Sequence, residues 1–390
     1  MAIHLLILNY EYPPIGGGGG MATQAIAQAL MKKGGYHITV ITGGVGQETV
    51  ETVETVECGI TVIRLPCAKS RKHRASSTFS YMLRYILGAT FYVFKNRRRL
   101  SFDVIHTHFA IPTGPAGLVI SRILKIPNIL TLHGGEIFKQ PLELSGPHFF
   151  IRRLVRFIVN RSHHVTCNSL DTLQGAQKWI GITRPMKVIT LGFAPPLLPI
   201  PPKPAHEGEA VRLIMVSRLV PRKNLSALIT ALKTLDKSLW HLTLVGDGPE
   251  EEGLKGLAKR LGIGDRIAFR GYLSEEEKYR ELSQSDLFVL PSLHEGLGLV
   301  YFEAMYCGLP IITTNNGGQT DFLEPETNAL LVPPGDVQAL AEAIQRALND
   351  PAWRKRCGEN NRQKIRSLFI DNIIDDYDRQ LSLSSEGHPG

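Results

Sequence analysis

Cysteine is scarce and unpatterned in this chain: five in 390 residues, at 58, 67, 167, 307 and 357, with no Cys-x-x-Cys pair. An odd, scattered set indicates neither a disulfide framework nor a zinc site, and it makes a reducing, cytoplasmic setting the default. Long apolar runs are missing too, since none approaches the roughly 18 residues that span a bilayer. The short run at residues 3–8 lacks a basic leader and runs into Pro13 and Pro14, so it reads as a strand rather than a signal peptide. Acidic residues are rare in the first half. Residues 1–200 carry 22 Lys and Arg against 9 Asp and Glu, and residues 201–390 carry 22 against 27. The overall +8 therefore hides a basic half of +13 and an acidic half of −5. A first domain of that charge suits an anionic partner, with nucleic acid and an anionic membrane surface as the classes to weigh.

The length fits two domains, each able to bury its own core. Apolar runs alternate with helical spacing along both halves. In the first they fall at residues 3–8, 37–42, 60–65, 104–106, 129–132, 165–168 and 188–191; in the second at 213–217, 241–245, 267–269, 287–290 and 311–313. Such alternation predicts an α/β fold of doubly wound parallel sheets. Residues 195–211 hold six prolines and read as a linker. The predicted division is 1–194, linker 195–211, 212–365, and a last helix at 366–382, with 383–390 frayed. Two such domains would leave a cleft between their strand ends, the usual place for a ligand.

The first strand ends in five glycines, 16–20, ahead of a helical segment at 21–32. That is more glycine than a turn needs, and it lets a ligand approach the backbone closely; taken alone, such a run is a weak signal. In the second half, the run 287–290 ends at Pro291 and Ser292. Glu295, Gly296, Gly298 and a helical segment at 299–306 follow, stopped by Gly308 and Pro310, before a second apolar run and Gly317-Gly318. A strand, a glycine-rich loop and a helix start present free N–H groups to a diphosphate. Glu295 and Glu303 are eight apart, slightly over two helical turns, which places them on neighbouring faces of one helix. A carboxylate there can accept from a sugar or a ribose diol. Taken singly, they read more simply as a helix-entry charge and a solvated helix position. Arg218 and Lys223, at another strand end, can converge on one diphosphate as a fork and a point charge.

The whole string, Pro-Ser-x-x-Glu-Gly-x-Gly-x-x-x-x-Glu-Ala-Met-x-x-Gly-x-Pro, resembles the donor-binding signature of the family-4 retaining glycosyltransferases. Their fold is GT-B, two doubly wound Rossmann-like domains facing a central cleft. The resemblance implies a nucleotide-diphosphate sugar held by the second domain and substitution on the leaving-group face. Catalytic roles then fall to Arg218, Lys223, Glu295 and His133, a histidine at a first-domain strand end. Gly17, Gly18, Gly298, Leu299 and Glu303 would bind the donor. The last helix would cross back to the first domain. No metal or other cofactor is implied, and the sequence is read as holding no Asp-x-Asp metal motif. Ser217, Asn224 and Asp321 depart from the family pattern, and only Gly192 remains of its Asn-Gly-x-Asp element.

Basic clusters flank aromatic segments at 69–99 and 148–158, a pattern that suits peripheral contact with an anionic membrane as well as core helices with solvated ends. No recognition motif supports nucleic acid. The acceptor expected is a glycan or lipid-linked glycan of the cell envelope. A sugar-nucleotide epimerase of the same fold and a non-catalytic nucleotide-sugar scaffold are the rival readings; retention of Lys223 and Glu295 speaks against the scaffold.

Overall fold

The computed structural model describes residues 2–44, 52–67, 79–137, 147–197 and 210–386. The chain divides into two compact units, residues 1–192 with 370–390, and residues 193–369. The basic segment at 69–74, most of the proline-rich segment (198–209) and residues 387–390 lie outside the described residues.

The first unit contains β1 (Ile3–Leu8), α1 (Gly18–Lys33), β2 (Tyr36–Gly43), β3 (Val53–Glu57), β4 (Ile60–Leu65), α2 (Phe79–Asn96), β5 (Val104–His108), α3 (Gly114–Leu124), β6 (Asn128–Leu132), α4 (Pro147–Arg161), β7 (His164–Cys167), α5 (Leu170–Gly175) and β8 (Lys187–Val188). Its sheet runs β3-β4-β2-β1-β5-β6-β7-β8, parallel except for the β3–β4 hairpin. The interior strands are near-continuous apolar runs because helices cover both faces. Strand order reverses between β1 and β5, so the loops after those two strands share one edge. β3 is not among the strands expected from the sequence; its alternating Val-Glu-Thr-Val-Glu suits an edge strand with one wet face.

The second unit contains β9 (Val211–Val216), α6 (Leu225–Lys233), β10 (Trp240–Val245), α7 (Glu251–Arg260), β11 (Ile267–Gly271), α8 (Glu275–Gln284), β12 (Leu287–Leu290), α9 (Leu299–Tyr306), β13 (Ile311–Thr314), β14 (Ala329–Val332), α10 (Val337–Asn349) and α11 (Pro351–Ser367). All six strands are parallel, in the order β11-β10-β9-β12-β13-β14. Here the order reverses between β9 and β12, which brings together the loop carrying Arg218 and Lys223 and the loop carrying Glu295. Phe193 opens this unit, bridging to Phe369 and packing its ring 5.3 Å from that of Tyr306.

The last helix, α12 (Ile370–Glu386), belongs to the first unit, where it lies on α1. It corrects the expectation of a frayed end from 383, since the helix continues to Glu386 with Ser384 buried. It also carries Asp376-Tyr377-Asp378, an Asp-x-Asp triplet, which corrects the reading that the chain has none. Those carboxylates are already engaged: Asp376 with Lys187 at 2.9 Å, and Asp378 with the Tyr36 hydroxyl at 2.5 Å and Lys33 at 3.1 Å.

Candidate functional site

At the switch point of the second unit, the chain leaves β9 through Arg218 and turns through Pro221–Lys223 into α6. It leaves β12 through residues 291–298 into α9. Backbone and side-chain bonds lock this second loop on both sides. Leu293 N donates to Arg222 O at 2.8 Å, Thr314 Oγ1 to Ser292 O at 2.6 Å, Asn316 Nδ2 to Leu293 O at 2.8 Å, and Gly318 N to Glu295 O at 2.9 Å. Gly317 sits at φ 133, and a Cβ there would lie 2.5 Å from the Glu295 carbonyl oxygen. Only glycine lets the β13 loop come so close to Glu295.

Glu295 is therefore not on a helix, which corrects the two-turn argument for its spacing from Glu303. It lies in the loop, paired with Gly317, and α9 begins at Leu299. Nor is it a solvated entry charge, being 5% exposed. Its carboxylate meets Lys223 Nζ at 2.5 Å and Arg222 Nη1 at 3.2 Å. Burial would raise that carboxyl, but the Lys223 ammonium and Arg222 guanidinium bring it down to about 2. Lys223 is buried as well, at 7% exposure, and burial pulls its ammonium below the usual range against the attraction of Glu295. Arg218 is exposed on the same loop and close enough for its charge to act on Lys223.

Glu303 stands in α9 and accepts from Lys278 Nζ of α8 at 2.8 Å. Burial raises its carboxyl and Lys278 opposes this. Gly298 caps α9 with φ 84 and ψ 72, a left-handed conformation that disfavours a side chain, and a Cβ there would sit 2.5 Å from the Tyr301 ring. The structure thus brings Arg218, Lys223 and Glu295 to one loop cluster, with Gly298 and Leu299 at the adjoining helix start. Arg222 and Lys278 were missed by the sequence reading. Arg222 could have been suspected beside Lys223, but no signal separates Lys278 from the other charges of 275–281.

In the first unit, Gly17 and Gly18 mark the start of α1, so Gly18–Gly20 are helical rather than loop. Gly17 has open space where a Cβ would be, whereas a Cβ on Gly19 would collide with the Phe109 ring. His133 follows β6 and is almost fully buried. It shares a 3.0 Å hydrogen bond through Nε2 with His108 Nδ1, stacks on Phe109 at 4.2 Å, and receives the Asn168 amide on its carbonyl at 3.1 Å. His106 bonds Thr131 at 2.7 Å, as a core residue would. Burial lowers all three imidazoles, His106 to about 4, His133 to about 3 with help from His106, and His108 well below its ordinary value with help from both neighbours. They are hydrogen-bonded neutral rings, and among the described residues no cluster of His, Cys, Asp or Glu is placed to hold a metal ion.

Two family models cover most of the chain. Glycosyltransferase Family 4 matches residues 16–195 and Glycosyl transferases group 1 matches residues 199–364. The lipopolysaccharide core biosynthesis glycosyltransferase LpsD of Rhizobium meliloti is 38% identical over 43% of this chain; the match spans 48% of that relative, about half its length. The N-acetyl-alpha-D-glucosaminyl L-malate synthase of Bacillus anthracis is 25% identical over 94% of both chains. Among solved structures, sucrose-phosphate synthase from Thermosynechococcus elongatus superposes with a TM-score of 0.83 at 23% identity, covering 99% of this chain and 100% of that one. Anabaena HepE, solved with UDP-glucose, gives 0.74 at 20% identity over 99% of this chain and 100% of that one.

Proposed function

This chain belongs to glycosyltransferase family 4, with the GT-B fold, and from that premise we propose that it transfers a sugar from a nucleotide-diphosphate donor with retention of configuration. The observation that carries the reading is the charge at the switch point of the second unit. Two cations, Arg222 and Lys223, meet the single carboxylate of Glu295, and this leaves a net positive charge where a diphosphate would lie. Lys223 gives one of its three N–H bonds to Glu295 and keeps the others for phosphate oxygens.

In the proposed reaction the acceptor hydroxyl attacks the anomeric carbon from the side on which the diphosphate departs. The bond from that carbon to the phosphate oxygen breaks, the new glycosidic bond forms, and the departing diphosphate takes the hydroxyl proton. Cations already held in place by Glu295 stabilise the developing charge without reorganising. Glu295 orients the donor sugar, Glu303 accepts from the ribose hydroxyls, and the amides at Gly298 and Leu299 add N–H donors at the start of α9. Gly17, Gly18 and His133 are assigned to the transferred sugar and its phosphate. The diphosphate charge is met by side chains, so the proposed reaction runs without a metal. The acceptor proposed is a glycan or lipid-linked glycan, reached at a membrane surface.

A melting-temperature panel of nucleoside diphosphates and their sugars tests this. A ligand at a hundredfold excess over its dissociation constant adds about 2.7 kcal/mol. One nucleotide sugar should shift the wild type, and Arg218→Ala and Glu303→Ala should abolish the shift. Silence from the whole panel would return the reading to a scaffold.

A further inference from the structure

Three consecutive helices of the first unit, α2, α3 and α4, pack side by side, α2 on α3 and α3 on α4. The first and last are apolar on the side that faces water. In α2 the core takes Tyr81, Tyr85, Ala89 and Val93, a clean four-residue repeat. A second repeat on the same helix is left outside: Phe79 (81% exposed), Leu83, Leu87, Phe91 (66%) and Phe94. In α4 the core takes Val155, Ile158 and Val159, while Phe149, Phe150 (72%), Leu154 and Phe157 are exposed, and Val119 of α3 is exposed as well. An apolar stripe of that length on a water-facing helix marks an interaction surface.

The charges carried by the two helices are of one sign, and Glu54 of β3 is near enough to act on Tyr92 of α2. Between residues 79 and 99 there are five Lys or Arg and no acid, and between 147 and 161 four Arg and no acid. Several sit directly on the exposed rings: Arg97 lies 4.3 Å from the Phe94 ring centre, Arg161 5.1 Å from Phe157 and Arg153 5.5 Å from Phe149. Cation and aromatic face are thus presented together on this surface, a combination that suits a membrane interface. No described helix is long and apolar enough to cross a membrane.

We propose that the α2–α4 face docks on the surface of an anionic phospholipid bilayer, with Phe79, Leu87, Phe91 and Phe150 entering the headgroup–acyl boundary and Arg84, Arg97–Arg99, Arg153 and Arg156 on lipid phosphates. The chemistry favours a bilayer because α2 and α4 offer rings and cations and, among the described residues of these two helices, no carboxylate. A second copy docked through the same patch would bring like positive charge against it. This deepens the acceptor reading and rests on it only for the purpose of the docking.

Co-sedimentation of the full chain with vesicles tests it. Vesicles of equal phosphatidylcholine and phosphatidylglycerol should bind the protein, pure phosphatidylcholine should not, and added salt should release it. Phe91→Ser with Phe150→Ser, and separately Arg97→Glu with Arg98→Glu, should each lower partitioning by about tenfold or more. Lys233→Glu, on the second unit, should not. Equal binding by neutral and anionic vesicles, or no loss in either double variant, would overturn the proposal. So would a dimer that the serine variants convert to monomer while vesicles fail to bind. Each variant is also melted with the nucleotide-sugar panel: vesicle binding lost with the donor shift kept tests this surface alone, and a missing donor shift in the wild type is a failure of the function.

Discussion

In the first unit the titratable groups buried at the strand ends include three imidazoles, His106, His108 and His133, joined to one another, to Thr131 and to Phe109, beside a Glu136 carboxyl that takes backbone N–H bonds from Ala110 and His133. In the second they are ions, Lys223 with Glu295 and Lys278 with Glu303, each cation within hydrogen-bonding distance of its carboxylate. The two sheets share a winding scheme, so the difference is chemical. A histidine can avoid the cost of a buried charge by giving up its proton, whereas a lysine beside a glutamate keeps its charge and relies on the partner. Neutral groups suit contact with an uncharged sugar, and an excess of fixed cations suits a departing diphosphate.

Acid should separate the units most sharply. The folded histidines titrate well below 6.5, where the unfolded chain takes up its protons. Their contribution is complete above pH 6.5 and is lost as pH falls below it, by about 1.4 kcal/mol per histidine per pH unit. Glu136, whose carboxyl is raised by burial, titrates in the opposite sense and softens the slope near its own range. Glu295 is depressed to about 2, so its contribution holds above an unfolded value near 4.3 and disappears only between there and pH 2. Hydrogen exchange across a pH series should show β5 and β6 losing protection before β9 and β12. Simultaneous loss would contradict the contrast.

Next in size is Lys223→Ala, which strands the Glu295 carboxylate with Arg222 alone. Removing one partner of a buried pair costs about 3–5 kcal/mol. Calorimetry should show the second unit's transition falling while the first unit's holds. The double replacement Lys223→Met with Glu295→Leu should recover much of that loss and still abolish the donor-induced shift, which would separate the pair's structural part from its ligand role.

Much of this was readable beforehand, for reasons visible in particular residues. Leu287–Leu290 and the helix Leu299–Tyr306 stand between proline and glycine stops, and the structure gives both the bounds read from the sequence. The four-residue strand β14 passed unnoticed, although it is as short as Leu287–Leu290 and likewise ends at proline, Pro333. The position of Glu295 was misjudged for a different reason. A spacing of eight fits a helix, and only the pairing with Gly317, contributed by a separate strand loop, shows that the first glutamate lies outside one. The partnerships of Glu303 with Lys278 and of His108 with His133 join residues 25 apart in sequence and depend on packing.

Gly298→Ala sharpens the contrast at the loop itself. The φ of 84 and the 2.5 Å approach of Tyr301 both oppose a methyl group, and together they should cost about 2 kcal/mol. The loss should appear in the second unit's transition, and the donor-induced shift should shrink because the start of α9 has moved. An unchanged melting curve would mean that the left-handed turn relaxes freely and that the loop is less fixed than its hydrogen bonds imply.

The smallest effect belongs to charges that the first unit keeps on its surface. Lys33 bonds Asp375 and Asp378, and Lys32 bonds Asp371 at 2.7 Å, so α12 is laced to α1 by ion pairs that water reaches. Exposed pairs of this kind trade solvation for a modest attraction that salt screens. The buried contacts of Ile374, Tyr377 and Leu381 are what hold the helix. Asp375→Asn should therefore leave the melting temperature unchanged within error at physiological salt, while Tyr377→Ala should lower it clearly. A marked loss from Asp375→Asn would mean that the first unit, like the second, depends on paired ions, and the contrast between them would then lie in the histidines alone.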